Sequence, residues 1–277
     1  MKAVFIGSGN VATHLAAALK EKGIIIGQIY SRTLSNAETL GKMLACPYTN
    51  NIYDICTDAD IYFYALKDSA FKHFIRNFDM PNAFHVHTAG SISMSEFEGF
   101  ANKYGVFYPL QTFSKGKQVD FSEVPICIEA CNSDLQLKLL ELAKMLSNKT
   151  YIITSEQRKK LHLAAVFACN FTNYMYDAAS QIMEDSGIEF EIIKPLIAET
   201  AYKIKTMTPY AAQTGPAVRY DEKIIKKHLY MLTKKPELKK IYKLLSKNIH
   251  KRHSPKENIS AKDKIIFFID RLLTTEN

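Results

Sequence analysis

The stretch Val4-Phe5-Ile6-Gly7-Ser8-Gly9-Asn10-Val11-Ala12 decides how the chain is read. Its apolar start predicts a buried strand over Lys2 to Ile6, and Val11, Leu15, Ala18 and Leu19 recur at helical offsets, predicting a helix from about Asn10 to Lys22. Between them each position has a physical task. Gly7 permits a tight turn, Gly9 keeps its backbone free of a Cβ, and Ala12 lets the helix lie close to the strand. The first helical N–H groups and the positive end of the helix dipole then face any anion above the turn. A Gly-x-Gly-x-x-Ala turn in this setting is a cradle for a dinucleotide pyrophosphate, held by Gly7, Ser8, Gly9, Asn10 and Val11.

The next strand, Ile24 to Tyr30, runs into Ser31-Arg32-Thr33. An acid at its end would bind the ribose hydroxyls of NAD and repel an added phosphate. Here Arg32 supplies a planar guanidinium, and Ser31 and Thr33 supply hydroxyls, a set suited to a 2′-phosphate. The expected cofactor is NADP.

Strand and helix patterns keep alternating from there. Expected are a helix over 35–44, a short strand at 46–48, an aromatic strand at 60–66 and a helix at 69–77. A strand at 83–86, a helix around Met94 to Lys103 and a strand at 105–108 follow, then a strand, helix and strand over 124–153. After Ser155 the pattern becomes long helical runs: 156–186, 189–207, 222–233, 237–249 and 260–273. The expected fold class is α/β, a Rossmann-type mostly parallel sheet followed by an all-α C-terminal domain. The expected domains are 1–154 for NADP binding and 155–277 for substrate binding and dimerisation.

Composition narrows the function classes. The chain has 277 residues, 47% hydrophobic and 23% charged, with no apolar run of the roughly 18 residues a membrane helix needs. No membrane association is expected. An N-terminus that enters a strand at Lys2 leaves no room for a signal peptide, and the expected location is the cytoplasm. The net charge of +8 is concentrated between Lys223 and Lys264, with 14 Lys/Arg against 3 Asp/Glu. Apolar residues interleave this stretch at helical spacing, so solvated faces of packed helices are expected rather than a nucleic-acid footprint. The five cysteines are scattered, without metal or redox spacing. His85 and His87 share one strand face but lack a third ligand, and no metal is expected.

In an open parallel sheet a ligand lies beyond the C-terminal strand ends. Leu66 and Lys67, His87 and Thr88, and Gln111 follow three successive strands. The first four are expected at the cofactor and Gln111 at the substrate. On the first helix of the C-terminal half, Lys159, His162 and Asn170 lie along one side at α-helical spacing and are the candidate catalytic groups. Imidazole titrates near neutral pH, which makes His162 the leading proton donor and Lys159 its rival. The loop Gln213 to Asp221 adds Thr214 and Arg219 as substrate contacts, with Asp221 placed to cap the next helix.

With these residues in hand, the chain resembles the NADP oxidoreductase family that joins a Rossmann-like domain to a helical domain of unknown function. The likeness spans nearly the full length. It rests on Gly7 to Ala12, His87-Thr88-Ala89-Gly90, Pro109 to Phe113, His162 to Val166 leading to Asn170, and Thr214-Gly215-Pro216 with Arg219 and Asp221. Tyr220 stands where the family pattern has glycine. The domain order is more distantly similar to pyrroline-5-carboxylate, ketopantoate and β-hydroxyacid reductases, which implies a homodimer formed through the helical domain. The resulting expectation is an NADP(H)-dependent oxidoreductase acting on a small carbonyl, imine or hydroxy-acid compound. The alternative is an NADP-binding sensor without turnover.

Overall fold

Period-two alternation builds the sheet. In β1 (Lys2–Ile6) Ala3 and Phe5 enter one core cluster and Val4 and Ile6 the other, all fully buried. The computed structural model describes residues 1–80, 82–114 and 116–254. After β1 come α1 (Asn10–Glu21), β2 (Ile25–Tyr30), α2 (Leu34–Leu44) and β3 (Tyr48–Thr49). β4 (Ile61–Tyr64), α3 (Asp68–Arg76), β5 (Phe84–His87), β6 (Lys103–Pro109), β7 (Ile126–Ala130), α4 (Ser133–Leu146) and β8 (Thr150–Ile152) follow. The sheet order is β3-β2-β1-β4-β5-β6-β7-β8, parallel throughout except for the antiparallel β6–β7 pair. The order reverses between β1 and β4, so the chain leaves these two strands toward opposite edges and a crevice opens beyond their C-terminal ends.

Each sheet face has its own core. Leu15 and Leu19 of α1, Leu40 and Leu44 of α2 and Leu139 and Leu142 of α4 cover one face over Phe5, Phe63 and Phe107. On the other, Phe71 and Phe74 of α3 join Tyr62, Tyr64 and Phe97 in an aromatic cluster. Burying a side chain of this size contributes about 1.5–3 kcal/mol.

The helix expected around Met94 to Lys103 does not form. Only one 3₁₀ turn exists, Met94–Phe97, because Gly99 takes a φ of +81° that ends helical winding, and the chain enters β6 at Lys103. The run expected over 156–186 is also not uniform. α5 (Ser155–Ala165) passes into a π-helical segment, Val166–Phe171, before α6 (Thr172–Glu184). The 260–273 helix lies outside the described residues.

By compactness the chain divides into two units, Met1–Asn173 and a second beginning at Tyr174. The first therefore includes α5 and the π segment as well as the sheet. The second contains α7 (Lys194–Lys203), α8 (Pro209–Ala212), α9 (Pro216–Arg219), α10 (Glu222–Met231) and α11 (Pro236–His253). Its buried cluster is small: Ala178, Leu232 and Leu238, with Ile241 and Tyr242 against it. Tyr220 closes α9 in the left-handed conformation, φ +53°, a position that favours glycine, and its ring stacks on His250 at 4.1 Å. Asp221 caps α10 by accepting from the Ile224 N–H at 3.2 Å. No described helix is long and apolar enough to cross a membrane.

Candidate active site

The turn after β1 is shaped by its backbone. Gly7 has a φ of +117°, donates its N–H to the Tyr30 carbonyl at 2.8 Å, and lies so close to β4 that a Cβ would sit 2.3 Å from the Ala65 carbonyl oxygen. Only glycine fits there. Gly9 is the opposite case. Its backbone is extended and exposed, and a Cβ would meet nothing within 4 Å. No side chain caps α1 and no acid stands in its first turn, so the N-terminal N–H groups stay open to an anion. Ser8 Oγ donates to Ser31 Oγ at 2.9 Å, tying the turn to the end of β2, and Val11 is half-buried. The Asn10 side chain turns away to donate to the Phe113 carbonyl at 2.7 Å, while His14 stacks on the Phe113 ring and pairs with the Ser114 carbonyl. Together they fasten the segment after β6 onto α1.

Beyond β2, Ser31 is buried, and Arg32 and Thr33 are exposed at the uncapped N-terminus of α2. Arg32 has no ion pair among the described residues. Leu66 is half-buried after β4, and Lys67 is exposed at the start of α3.

After β5 the structure departs from expectation. His87 is not a donor facing the cofactor: it is 0% exposed, edge-on to Phe71 and against Phe97, and its Nδ1 accepts the Ala89 N–H at 3.2 Å. Burial, reinforced by the positive charge of Arg158, pushes its pKa down to about 3 against a weaker opposing influence from the Ser93 backbone. The ring is neutral, and Nε2 forms no well-aligned hydrogen bond. His85 accepts from Tyr64 Oη at Nδ1 and donates from Nε2 to the Met80 carbonyl, each at 2.7 Å, which leaves no free ring nitrogen for a metal. Thr88 is buried and donates from its N–H to the Tyr64 carbonyl at 3.1 Å.

The turn at 88–94 is clamped by α5, which itself begins with a capping box between Thr154 and Gln157. Arg158, 0% exposed, pairs with Glu129 of β7 at 2.5 Å and donates to the Ile92 carbonyl at 2.5 Å. Ser155 accepts from the Met94 N–H at 2.9 Å and donates to Glu129 at 2.7 Å. One helical turn after Arg158, on the same face, His162 lies against Gly90, where a Cβ would sit 2.6 Å from Nδ1. Tyr108, near the end of β6, places its hydroxyl 3.1 Å from the same nitrogen. His162, Gly90 and Tyr108 thus form one cluster. Burial pushes the Tyr108 hydroxyl up to about 12, so it stays protonated.

The other expected catalytic groups do not join this cluster through any hydrogen bond among the described residues. Lys159 is drawn to Glu156 at 2.9 Å. Asn170 is exposed within the π segment, whose wider turn shifts the helical phase, so α-helical spacing does not carry from His162 to Asn170. Gln111 is exposed and its Oε1 accepts from the Thr112 N–H at 2.8 Å. Thr214 and Arg219 belong to the second unit and are exposed there. Tyr108, Arg158, Glu129 and Ser155 were not among the expected site residues. Their signals were an aromatic hydroxyl at a strand end, and Ser155, Arg158 and His162 spaced along one helix face.

Comparison with known proteins gives this geometry a family. Residues 2–91 match the family described as NADP oxidoreductase, coenzyme F420-dependent, and residues 124–249 match a domain of unknown function, DUF2520. A candidate NADP oxidoreductase from Bacteroides fragilis is 47% identical, with a TM-score of 0.87 over 90% of this chain and 98% of that one. The chain belongs to this NADP oxidoreductase family. More distant solved structures share the fold of this family member. An imine reductase from Myxococcus stipitatus in complex with NADP+ is 16% identical, with a TM-score of 0.66 over 91% of this chain and 92% of that one. A 1-pyrroline-5-carboxylate reductase from Streptococcus pyogenes is 15% identical, with a TM-score of 0.61 over 91% and 98%. A search of curated proteins finds no match.

Proposed function

We propose that the chain is an NADP(H)-dependent oxidoreductase that transfers a hydride between the dinucleotide and a small carbonyl, imine or hydroxy-acid compound. The observation that carries this reading is the open space over Gly9 at the uncapped start of α1, a cradle that any side chain would fill. Gly7 to Val11 hold the pyrophosphate. Arg32 with Ser31 and Thr33 selects the 2′-phosphate, and Leu66, Lys67 and Thr88 border the rest of the cofactor. When bound, the dinucleotide supplies or accepts the hydride. His162 holds the proton that accompanies it, at the cluster with Gly90 and Tyr108.

The test is NADPH consumption by purified protein across carbonyl and imine panels, with NADH as control. Turnover preferring NADPH, with Arg32→Ala cutting NADPH affinity by about 10-fold or more and sparing NADH, supports the reading. Tight NADPH binding without turnover assigns the sensor role instead.

The active form in this proposal is a homodimer joined through the helical unit. Ile192, Leu196, Ile204 and Leu244 are all exposed there, and its buried cluster is small. Light scattering that gives a monomer at micromolar concentration would remove this part. Five free cysteines suit a reducing cytoplasm.

A further inference from the structure

The hydrogen bond between Tyr108 Oη and His162 Nδ1 can run in either direction, and its surroundings choose one. No other acceptor for the Tyr108 hydroxyl exists among the described residues, so if Nδ1 carried the proton, the buried phenol hydrogen would be left without a partner. Among the described residues His162 Nε2, by contrast, has no protein partner and is not sealed from solvent. We propose that Tyr108 is a positioning residue: its hydroxyl donates to Nδ1, fixes the His162 imidazole as the Nε2–H tautomer, and thereby presents Nε2–H to the oxygen of a neutral carbonyl substrate. The inference rests on the hydride-transfer reading above and narrows its substrate class.

The chemistry follows from donors alone. As the carbonyl carbon accepts a hydride, the π pair of the C=O bond moves onto oxygen. The Nε2 proton passes to that oxygen, and the Tyr108 hydroxyl proton passes to Nδ1. An alcohol, a neutral imidazole and a phenolate remain, and solvent reprotonates the phenolate. An alkoxide is a far stronger base than a phenolate, so the relay runs downhill even from a tyrosine pushed up to about 12. A preformed iminium ion needs no proton on accepting hydride and offers no lone pair to Nε2–H. No carboxylate lies within hydrogen-bond distance of His162 or Tyr108 among the described residues to attract such a cation. The pair is therefore matched to a neutral acceptor such as a ketone or aldehyde, and not to an iminium cation.

Two measurements on the full chain test the inference. The first is ¹⁵N NMR of histidine-labelled protein without cofactor, which reads the tautomer directly and needs no substrate. Wild type should show His162 as Nε2–H, and Tyr108→Phe should show a tautomer mixture. Nδ1–H in wild type, or an unchanged tautomer in Tyr108→Phe, overturns the positioning role. The second is NADPH oxidation with ketone and aldehyde panels against preformed cyclic iminium salts. Carbonyl turnover is expected, with Tyr108→Phe lowering kcat by about 10- to 100-fold and KM within about 2-fold. Turnover of iminium salts but not carbonyls overturns the substrate class. Absence of all turnover removes the hydride-transfer reading, while the tautomer measurement still decides the role of Tyr108.

Discussion

Two turns at the C-terminal end of the sheet, after β1 and after β5, do related work by opposite means. The turn at Gly7–Gly9 is made by its own backbone: one glycine accepts a left-handed φ against Ala65, and the next leaves space open. The turn at Thr88–Met94 is held from outside, its Ile92 carbonyl and Met94 N–H bound by Arg158 and Ser155 of a helix more than sixty residues further along. A backbone-built turn suits a ligand held by main-chain N–H groups, because its geometry needs no distant side chain. A clamped turn keeps a side-chain cluster in register, here Gly90, His162 and Tyr108.

The sharpest way to break this contrast is Arg158→Ala. It leaves the half-buried Glu129 without its cation and frees the Ile92 carbonyl, and should cost about 3 kcal/mol in denaturant unfolding. Dinucleotide affinity of the remaining folded protein should change little. If that affinity falls as far as stability does, the two turns are not independent. Gly7→Ala comes next, forcing a Cβ into the Ala65 carbonyl at positive φ. It should cost at least about 3 kcal/mol and abolish dinucleotide binding, while the His162 environment read by NMR stays as in wild type.

Acid should act on the clamped turn first. The folded pKa of His87, about 3, lies below the unfolded value of about 6.5, so the unfolded chain binds the extra proton between these limits. Stability is therefore complete above about pH 6.5 and falls as pH drops, by up to about 1.4 kcal/mol per pH unit. His85, also pushed down by burial, adds to the same slope. Thermal melts from pH 7.5 to pH 4.5 should show this decline, and His87→Gln should flatten it. The smallest stability effect is expected for Gly90→Ala, about 1–2 kcal/mol, since the new methyl can displace the His162 ring. The same change should break the Tyr108–His162 bond and alter the His162 NMR signals, which a merely local strain would not.

This contrast also governs how much was legible in the sequence. The strand, glycine turn and α1 follow from neighbouring residues, because Gly7, Gly9 and Ala12 carry their reasons within a single βα unit. The sheet followed from the alternation of strand and helix patterns. The helix expected around Met94 failed on one backbone dihedral, at Gly99, which composition alone does not reveal. His87 was misplaced because period-two alternation assigns a face but not its contents, and the face it shares with His85 is filled by Phe71, Phe74 and Phe97. Arg158 and Tyr108 went unassigned because their partners, Glu129 and His162, are 29 and 54 positions away. The π segment broke the α-helical spacing that had grouped His162 with Asn170.

Whether a dinucleotide lies over the β1–α1 turn is decided by NADPH titration of wild type and Gly9→Val, followed by cofactor fluorescence. A Cβ at Gly9 meets no protein atom within 4 Å and the backbone there is extended, so the variant should fold and melt like wild type. Wild type should bind saturably and the variant at least about 100-fold more weakly, because the added side chain occupies the pyrophosphate's place. Equal binding by the two proteins would contradict that placement.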